Sequence, residues 1–153
     1  MRTSCLMIRK SLLLLGLLFF IPHSAISEIV VKNAWVRAAP AGSKAMAAYM
    51  FIDNQGPKTM RSSKIIANGF EKAEVHMSFI SNNIAQMRKL ENISIDGKES
   101  IALEPGGLHL MLINPNKVPK KNSKVEILMF FENENNAEVV RIEADVRLSL
   151  IHI

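Results

Sequence analysis

Cysteine occurs once in this sequence of 153 residues, as Cys5 near the N-terminus. Residues 28–153 contain none, so this part of the chain cannot form disulfides, zinc–thiolate sites or the thiolate copper sites of electron-transfer proteins. The sequence also lacks the HExxH, GxSxG and glycine-rich phosphate-loop motifs of common enzyme classes. We therefore predict that the protein is not an enzyme and that any bound metal is held by histidine, methionine or carboxylate side chains.

The N-terminus has a basic start followed by an apolar run over residues 11–21. This run is shorter than the roughly 20 residues that a membrane-spanning helix needs. Small residues then stand at the positions that a signal peptidase reads, which predicts a cleavable secretory signal over 1–27 and cleavage before Glu28. An uncleaved membrane anchor is the alternative. A lipid anchor is less favoured, because Cys5 precedes the apolar run.

Most of the net positive charge of the chain comes from this predicted signal segment. The net charge is +5 for the whole sequence, whereas residues 28–153 carry 16 basic and 14 acidic residues, a net charge of +2. The balance gives little reason to expect a nucleic-acid partner. We predict a periplasmic protein without stable membrane insertion after cleavage. The segment 28–153 has room for one domain with a real core and not for two.

Beyond residue 28 the hydrophobic pattern has a period of two, which is typical of antiparallel strands. In the last segment apolar residues at 140, 142, 144, 146 and 148 alternate with charged ones. Turn-forming residues separate this and eight other predicted strands, near 29–37, 45–53, 60–67, 71–80, 84–91, 99–104, 107–113 and 123–132. Many short strands without a convincing helix predict an all-β protein, a sandwich or a barrel.

Histidine and methionine share a face in the strand predicted over 107–113. Alternate residues of a strand point to the same side. The leucines at 108, 110 and 112 therefore form one face, and His109 and Met111 lie together on the other. Methionine is usually a core residue, but the position of Met111 places it opposite the apolar face. These two residues form one half of a candidate metal site.

His76 and Met87 supply the other half, on a predicted hairpin. Each lies opposite the apolar face of its strand. A two-residue turn at Ser81-Asn82 places His76 directly opposite Met87, and we favour this register. A turn at Asn82-Asn83 would make them diagonal neighbours, still within side-chain reach. His109 and Met111 would join them if their strand lies alongside the hairpin.

The other methionines and the third histidine of residues 28–153 have simpler explanations. Met46, Met50, Met77 and Met129 fit apolar faces and are predicted to lie in the core, Met60 is undecided, and His152 is predicted to be incidental. Thioethers are soft, neutral ligands that suit Cu(I) and bind Zn²⁺, Mg²⁺ and Ca²⁺ poorly. A site of two histidines and two methionines therefore predicts one Cu(I) ion per chain.

The spacing of these four residues, H-x10-M-x21-H-x-M, resembles the signature of the periplasmic copper chaperone family of PCu(A)C type. Flanking sequences are also similar to that family, namely 34–37 (AWVR), 47–50 (AAYM) and 103–112 (LEPGGLHLML). The resemblance spans about residues 33–148. It implies a cupredoxin-like Greek-key β-sandwich in which His76, Met87, His109 and Met111 hold Cu(I). It also implies transfer of copper toward the binuclear copper centre of cytochrome c oxidase. The expected partners are copper donors and acceptors, such as oxidase assembly factors or oxidase subunit II.

Two other functions remain open at this point. The same site could sequester copper for tolerance, with no oxidase to supply. Alternatively, the chain could be a secreted β-sandwich that recognises a protein or a sugar and binds no metal. Sequence alone does not separate delivery from tolerance. A Cu(I) titration would separate both from the metal-free alternative.

Overall fold

In the computed structural model, residues 28–148 are described; the predicted signal segment 1–27 and His152 lie outside this range. The described residues form ten strands: β1 (Ile29–Arg37), β2 (Ala45–Asn54), β3 (Met60–Ala67), β4 (Phe70–Ser81), β5 (Ile84–Leu90), β6 (Ser94–Ile95), β7 (Ser100–Leu103), β8 (Leu108–Pro115), β9 (Lys124–Glu132) and β10 (Ala137–Arg147).

The predicted all-β class is confirmed, since residues 28–148 contain strands, turns and bends but no helix. Consequently no helix in this range is long and apolar enough to cross a membrane. All nine predicted strands are present, and each boundary lies within three residues of the predicted one. The two-residue strand β6 was not predicted, because so short a segment carries no periodicity.

The strands follow one hydrogen-bonded path in the order β5-β4-β8-β2-β1-β10-β9-β3-β6, with β7 paired to β2 off this path. The β1–β10 pair is parallel and the other pairs are antiparallel. Strand β3, near one end of the path, contacts β4 near the other end. The sheet therefore curls around an interior, and β5 forms one edge, beside β4.

The interior is filled by the apolar residues that the alternation predicts. Leu108, Leu110 and Leu112 of β8 are buried, as are the alternate apolar residues of β9 and, in the second half of β10, Ile142, Ala144 and Val146. The methionines predicted to lie in the core are either buried (Met46, Met50 and Met129) or packed against it (Met77), and the undecided Met60 is buried as well. Each fully buried side chain of this size contributes about 1.5–3 kcal/mol of hydrophobic stabilisation.

A β-bulge in β1 reverses which residues of that strand face the core. The pairing with β2 shifts by one residue between Lys32 and Trp35, and Asn33 takes a positive φ of 54°. An extra residue in one strand inverts the alternation after it. Ile29 and Val36 are therefore both buried despite their opposite parity. Trp35 is left on the outer face of the sheet, beside the residues of the candidate site.

The hairpin register that we favoured from the sequence is wrong. The turn lies at Asn82-Asn83, Ser81 pairs with Ile84, and His76 pairs with Lys89 rather than with Met87. Both turn residues have positive φ, 52° and 60°. A two-residue turn of this kind needs positive φ at both central positions, which asparagine tolerates far better than serine does. His76 and Met87 are accordingly diagonal neighbours, the alternative register.

Asn54, at the end of β2, is fully buried, and its side chain joins the loop after β2 to the end of β6 and the turn that follows it. Its amide nitrogen donates to the carbonyl oxygens of Lys58, Ile95 and Asp96 at 2.8, 2.9 and 3.2 Å. Its amide oxygen accepts from the backbone nitrogen of Gly56 at 3.0 Å. One buried amide thus satisfies several backbone groups that have left the strand ladder.

Replacing Asn54 by alanine is expected to destabilise the fold by roughly 2–4 kcal/mol, because buried backbone groups would lose their partners. Urea denaturation followed by circular dichroism measures this difference. The matched control is Asn135→Ala at an exposed turn position, where a change within about 0.5 kcal/mol is expected. Equal effects of the two substitutions would show that the buried network contributes nothing of its own.

Candidate metal site

Strand β4 lies between β5 and β8, so the hairpin and the strand that carries the second half-site are neighbours. His76 of β4 is the direct cross-strand partner of His109 of β8. Their imidazole rings lie 6.1 Å apart, centroid to centroid. The condition that the sequence left open, that the second strand lies alongside the hairpin, is met.

The two histidines belong to a row of side chains that crosses the outer face of the sheet. Lys89 is paired with His76 on one side. Beyond His109, the ring of Tyr49 lies 6.3 Å away, and the ring of Trp35 lies 4.6 Å from that of Tyr49. The row therefore passes from a charged edge strand, through two imidazoles, to an aromatic pair.

The two candidate methionines lie on opposite sides of this row. Met111 of β8 is paired with Glu74 of β4, two residues before His76. Met87 of β5 is paired with Ser78, two residues after His76. Paired residues point to the same face of a sheet. The structure thus brings His76, His109, Met111 and Met87 to adjoining positions of three neighbouring strands, all on the outer face.

The exposure of the four side chains increases toward the edge of the sheet. His109 is buried, at 4% exposed, and His76 and Met111 are half-buried. Met87 is 50% exposed. Two further large apolar residues of the hairpin, Ile80 and Ile84, are 78% and 62% exposed. A ligand bound among the four would be anchored on the buried side and reachable from the side of β5.

Each of the two imidazoles has one nitrogen in a hydrogen bond with a group of the same strand region. The Nε2 atom of His76 lies 3.1 Å from a carboxylate oxygen of Glu74. Its Nδ1 atom is buried and has no hydrogen-bond partner among residues 28–148. The Nδ1 atom of His109 lies 3.0 Å from the carbonyl oxygen of Gly107. A buried nitrogen without a partner is costly unless something else occupies it, so this donor set fits a metal ion.

Sequence reasoning assigned no role to Glu74 or Lys89, which lie on the same face as the candidate ligands. Lys89 donates to Glu74 at 2.7 Å. The hydrogen bond from Lys89, and after it the one from His76, holds the pKa of Glu74 below its usual value. Glu74 is therefore a carboxylate beside the histidine row. The available signal was its spacing, since Glu74 and His76 are two residues apart in a strand and must share a face.

The described residues contain no group of three or more histidine, cysteine or acidic side chains that could hold a metal ion. The candidate cluster is of a different kind, two histidines with two methionines. Its methionine positions follow from the strand pairings, and its imidazole positions follow from the ring geometry.

Tyr49 is the only tyrosine of the chain, and it reports on the aromatic end of the row. Burial raises the pKa of Tyr49 above the ordinary 10.0, against an opposing effect of Arg37. We therefore expect an ultraviolet titration of the folded protein to show phenolate forming above pH 10.0, and the Trp35→Ala variant to shift the midpoint back toward that value. Because the pKa is raised on folding, this group stabilises the fold below its unfolded pKa. That contribution is lost as the pH rises through the folded pKa. A midpoint at or below 10.0 in the folded protein would contradict the burial of Tyr49.

Fold and cluster together define an all-β, cupredoxin-like domain with a histidine–methionine cluster on one face. Residues 29–146 match the family described as "Putative lipoprotein LpqE-like", and the chain belongs to this family. It is also similar to "Putative lipoprotein Lxx21020" of Leifsonia xyli subsp. xyli, with 24% identity over 119 residues, covering 77% of this chain and 70% of that protein.

Solved structures of PCuAC domains share the fold. The copper-bound PCuAC domain from PmoF2 is 21% identical and superposes with a TM-score of 0.67, covering 82% of this chain and 97% of that domain. The solution structure of CuI-DR1885 from Deinococcus radiodurans is 20% identical with a TM-score of 0.64, covering 84% and 83%. The resemblance predicted from the sequence motif, and with it the cupredoxin-like fold, is confirmed.

Proposed function

We propose that this protein is an exported carrier of copper, which binds one Cu(I) ion through His76, Met87, His109 and Met111. The observation that carries the proposal is the buried Nδ1 atom of His76, which has no hydrogen-bond partner in the described part of the chain. It lies beside a second imidazole and between two strands that each present a methionine on the same face. The fold is that of two domains whose structures were solved with copper.

The two imidazoles and two thioethers of the proposed site indicate which ion it binds. Thioether sulfur is soft and uncharged, which suits Cu(I) and gives little affinity for zinc, magnesium or calcium. Imidazole binds Cu(I) as well as Cu(II), and the Nδ1 atom of His76 has no hydrogen-bond partner among residues 28–148. Methionine also cannot be oxidised to a disulfide, which is an advantage outside the cytoplasm.

The increase in side-chain exposure across the site supports a protein that carries copper rather than one that catalyses a reaction with it. His109 is buried, whereas Met87 is half exposed at the sheet edge. An acceptor protein can therefore approach the ion from β5 and replace Met87 first, while the buried ligands still hold it. Uncharged ligands hold the ion less firmly than thiolates would, which favours transfer.

The proposal also includes where the protein acts and which site receives its copper. Residues 1–27 are proposed to direct export to the periplasm, and the names of the family and of the L. xyli relative, which both include "lipoprotein", support an exported protein. There the protein is proposed to take copper from a donor and pass it toward the binuclear copper centre of cytochrome c oxidase. A deletion strain is expected to lose oxidase activity when copper is scarce. Normal oxidase activity combined with sensitivity to excess copper would instead indicate a role in tolerance.

The binding proposal is tested by titrating the metal-free mature protein with Cu(I) in the presence of a competing chelator. We expect one tight site per chain, and much weaker competition by Zn²⁺. A matched variant, Met77→Leu, changes a methionine on the opposite face of β4 and is expected to bind as the wild type does. Absence of tight binding would contradict the proposal and favour a metal-free recognition domain.

A further inference from the structure

The two nitrogens of the His76 ring have different surroundings, which determines where its proton lies. Nε2 is 3.1 Å from a carboxylate oxygen of Glu74. A carboxylate only accepts hydrogen bonds, so Nε2 must donate and carries the proton. In the neutral ring Nδ1 then has the lone pair, and this is the atom that is buried without a partner among residues 28–148.

Glu74 is itself held in place, so it can orient the ring. Its other carboxylate oxygen accepts a hydrogen bond from Lys89 at 2.7 Å. Lys89 is the cross-strand partner of His76 on β5, and Glu74 precedes His76 by two residues on β4. The Glu74 side chain is only 20% exposed. Three side chains on two strands thus form a chain of contacts that ends at Nε2 of His76.

The second histidine has the opposite arrangement. Its Nδ1 atom lies 3.0 Å from the carbonyl oxygen of Gly107. A carbonyl oxygen can only accept, so the Nδ1 atom of His109 carries the proton and Nε2 has the lone pair. The two paired histidines would therefore offer different nitrogens to a bound metal ion.

We propose that Glu74, anchored by Lys89, is a positioning residue that fixes His76 so that it binds Cu(I) through Nδ1, whereas His109 binds through Nε2. This inference rests on the proposed copper-binding function and adds to it a residue outside the ligand set. Residues that orient metal-binding histidines in this way fix the tautomer of the ring, and their loss lowers metal affinity roughly 10- to 100-fold. Glu74→Ala is expected to fall in that range, and Glu74→Gln, which keeps an acceptor oxygen, between it and the wild type.

Long-range ¹H–¹⁵N NMR of the imidazole rings tests the assignment directly, in mildly alkaline buffer where histidine side chains are neutral. The metal-free wild type is expected to show His76 protonated on Nε2 and His109 protonated on Nδ1. Addition of Cu(I) is expected to shift Nδ1 of His76 and Nε2 of His109. A shift of Nε2 of His76 instead would overturn the assignment. This experiment uses only the wild-type protein, so it does not depend on whether the variants fold.

The Glu74 variants separate positioning from a general structural role. Glu74→Ala is expected to lower the fraction of His76 protonated on Nε2 toward that of a free neutral imidazole, which itself favours this form, to shift the Nε2 resonance through loss of its hydrogen bond, and to leave His109 unchanged; Lys89→Met is expected to have a smaller effect of the same kind. The matched control, Glu71→Ala, removes an exposed carboxylate of the same strand and is expected to change neither ring. An unaltered His76 spectrum in Glu74→Ala would refute the positioning role. The wild type could show His76 protonated on Nε2 and His109 protonated on Nδ1, as expected, and still bind no Cu(I). In that case the copper proposal fails and the tautomer assignment stands.

Discussion

Replacing His109 by alanine and Met111 by leucine in the same chain is expected to lower the affinity for Cu(I) by more than about 100-fold, because loss of residues that only support metal ligands already costs 10- to 100-fold. The two side chains lie two residues apart on one face of β8. Their removal leaves two of the four proposed ligands, His76 and Met87, and Met87 is half exposed.

Chelator competition measures this loss, and circular dichroism shows whether the variant is folded. Leu110, between the two substituted positions, faces the core and is unchanged, so the fold is expected to persist. The double substitution Met50→Leu with Met129→Leu is the control, because both residues are buried in the core and should leave affinity unaltered. Undiminished binding by the His109/Met111 variant would place the copper site elsewhere.

Replacing Phe131 by alanine is expected to destabilise the fold by about 3–5 kcal/mol, the range for removing a buried aromatic side chain. Phe131 lies in β9, is fully buried, and is among the largest of the completely enclosed side chains. Its strand joins β10 to β3, so a cavity there weakens contacts on both sides. A loss of this size is a large part of the total stability of 5–15 kcal/mol that is usual for a domain.

Thermal and denaturant unfolding measure the effect of Phe131→Ala, and Phe51→Ala provides the comparison. Phe51 is 37% exposed on the outer face of β2, so its truncation is expected to cost only about 1 kcal/mol. Similar costs for the two substitutions would mean that the interior around β9 is not packed as the structure describes.

The strands were predictable because their sequence pattern is local. In β8 the alternation of three leucines with His109 and Met111 assigns the leucines to the core, where all three are buried, whereas the burial of His109 on the outer face comes from neighbouring strands and does not follow from the alternation. The β1 bulge at Asn33 was not predictable in the same way. It inverts the alternation within one strand, and only the partner strand shows where the inversion occurs.

The hairpin register illustrates a signal that was present but misjudged. Asn82 and Asn83 both adopt positive φ, a conformation that asparagine tolerates and that the two-residue turn requires. Considering turn chemistry before strand parity would have favoured Asn82-Asn83 over Ser81-Asn82. The error moved Met87 by two residues relative to His76 and left it in diagonal contact range.

The pairing of His76 with His109 could only be stated as a condition from the sequence. The two residues are 33 positions apart, and nothing local specifies that β8 lies beside β4 rather than beside another strand. The aromatic end of the row depends on the same non-local order, through Trp35, Tyr49 and the β1 bulge. The two-residue spacing of Glu74 and His76 implies that they share a face, but the contact of Glu74 with Nε2 of His76 depends on side-chain conformations that the sequence does not specify.

X-ray absorption at the copper edge, on the 1:1 complex of the mature protein with Cu(I), tests the central claim most directly. Coordination by His76, His109, Met87 and Met111 predicts two nitrogen and two sulfur neighbours around a monovalent copper ion. The sequence from residue 28 onward contains no cysteine, so every protein sulfur ligand must be a methionine. A spectrum with nitrogen and oxygen neighbours but no sulfur would contradict the account.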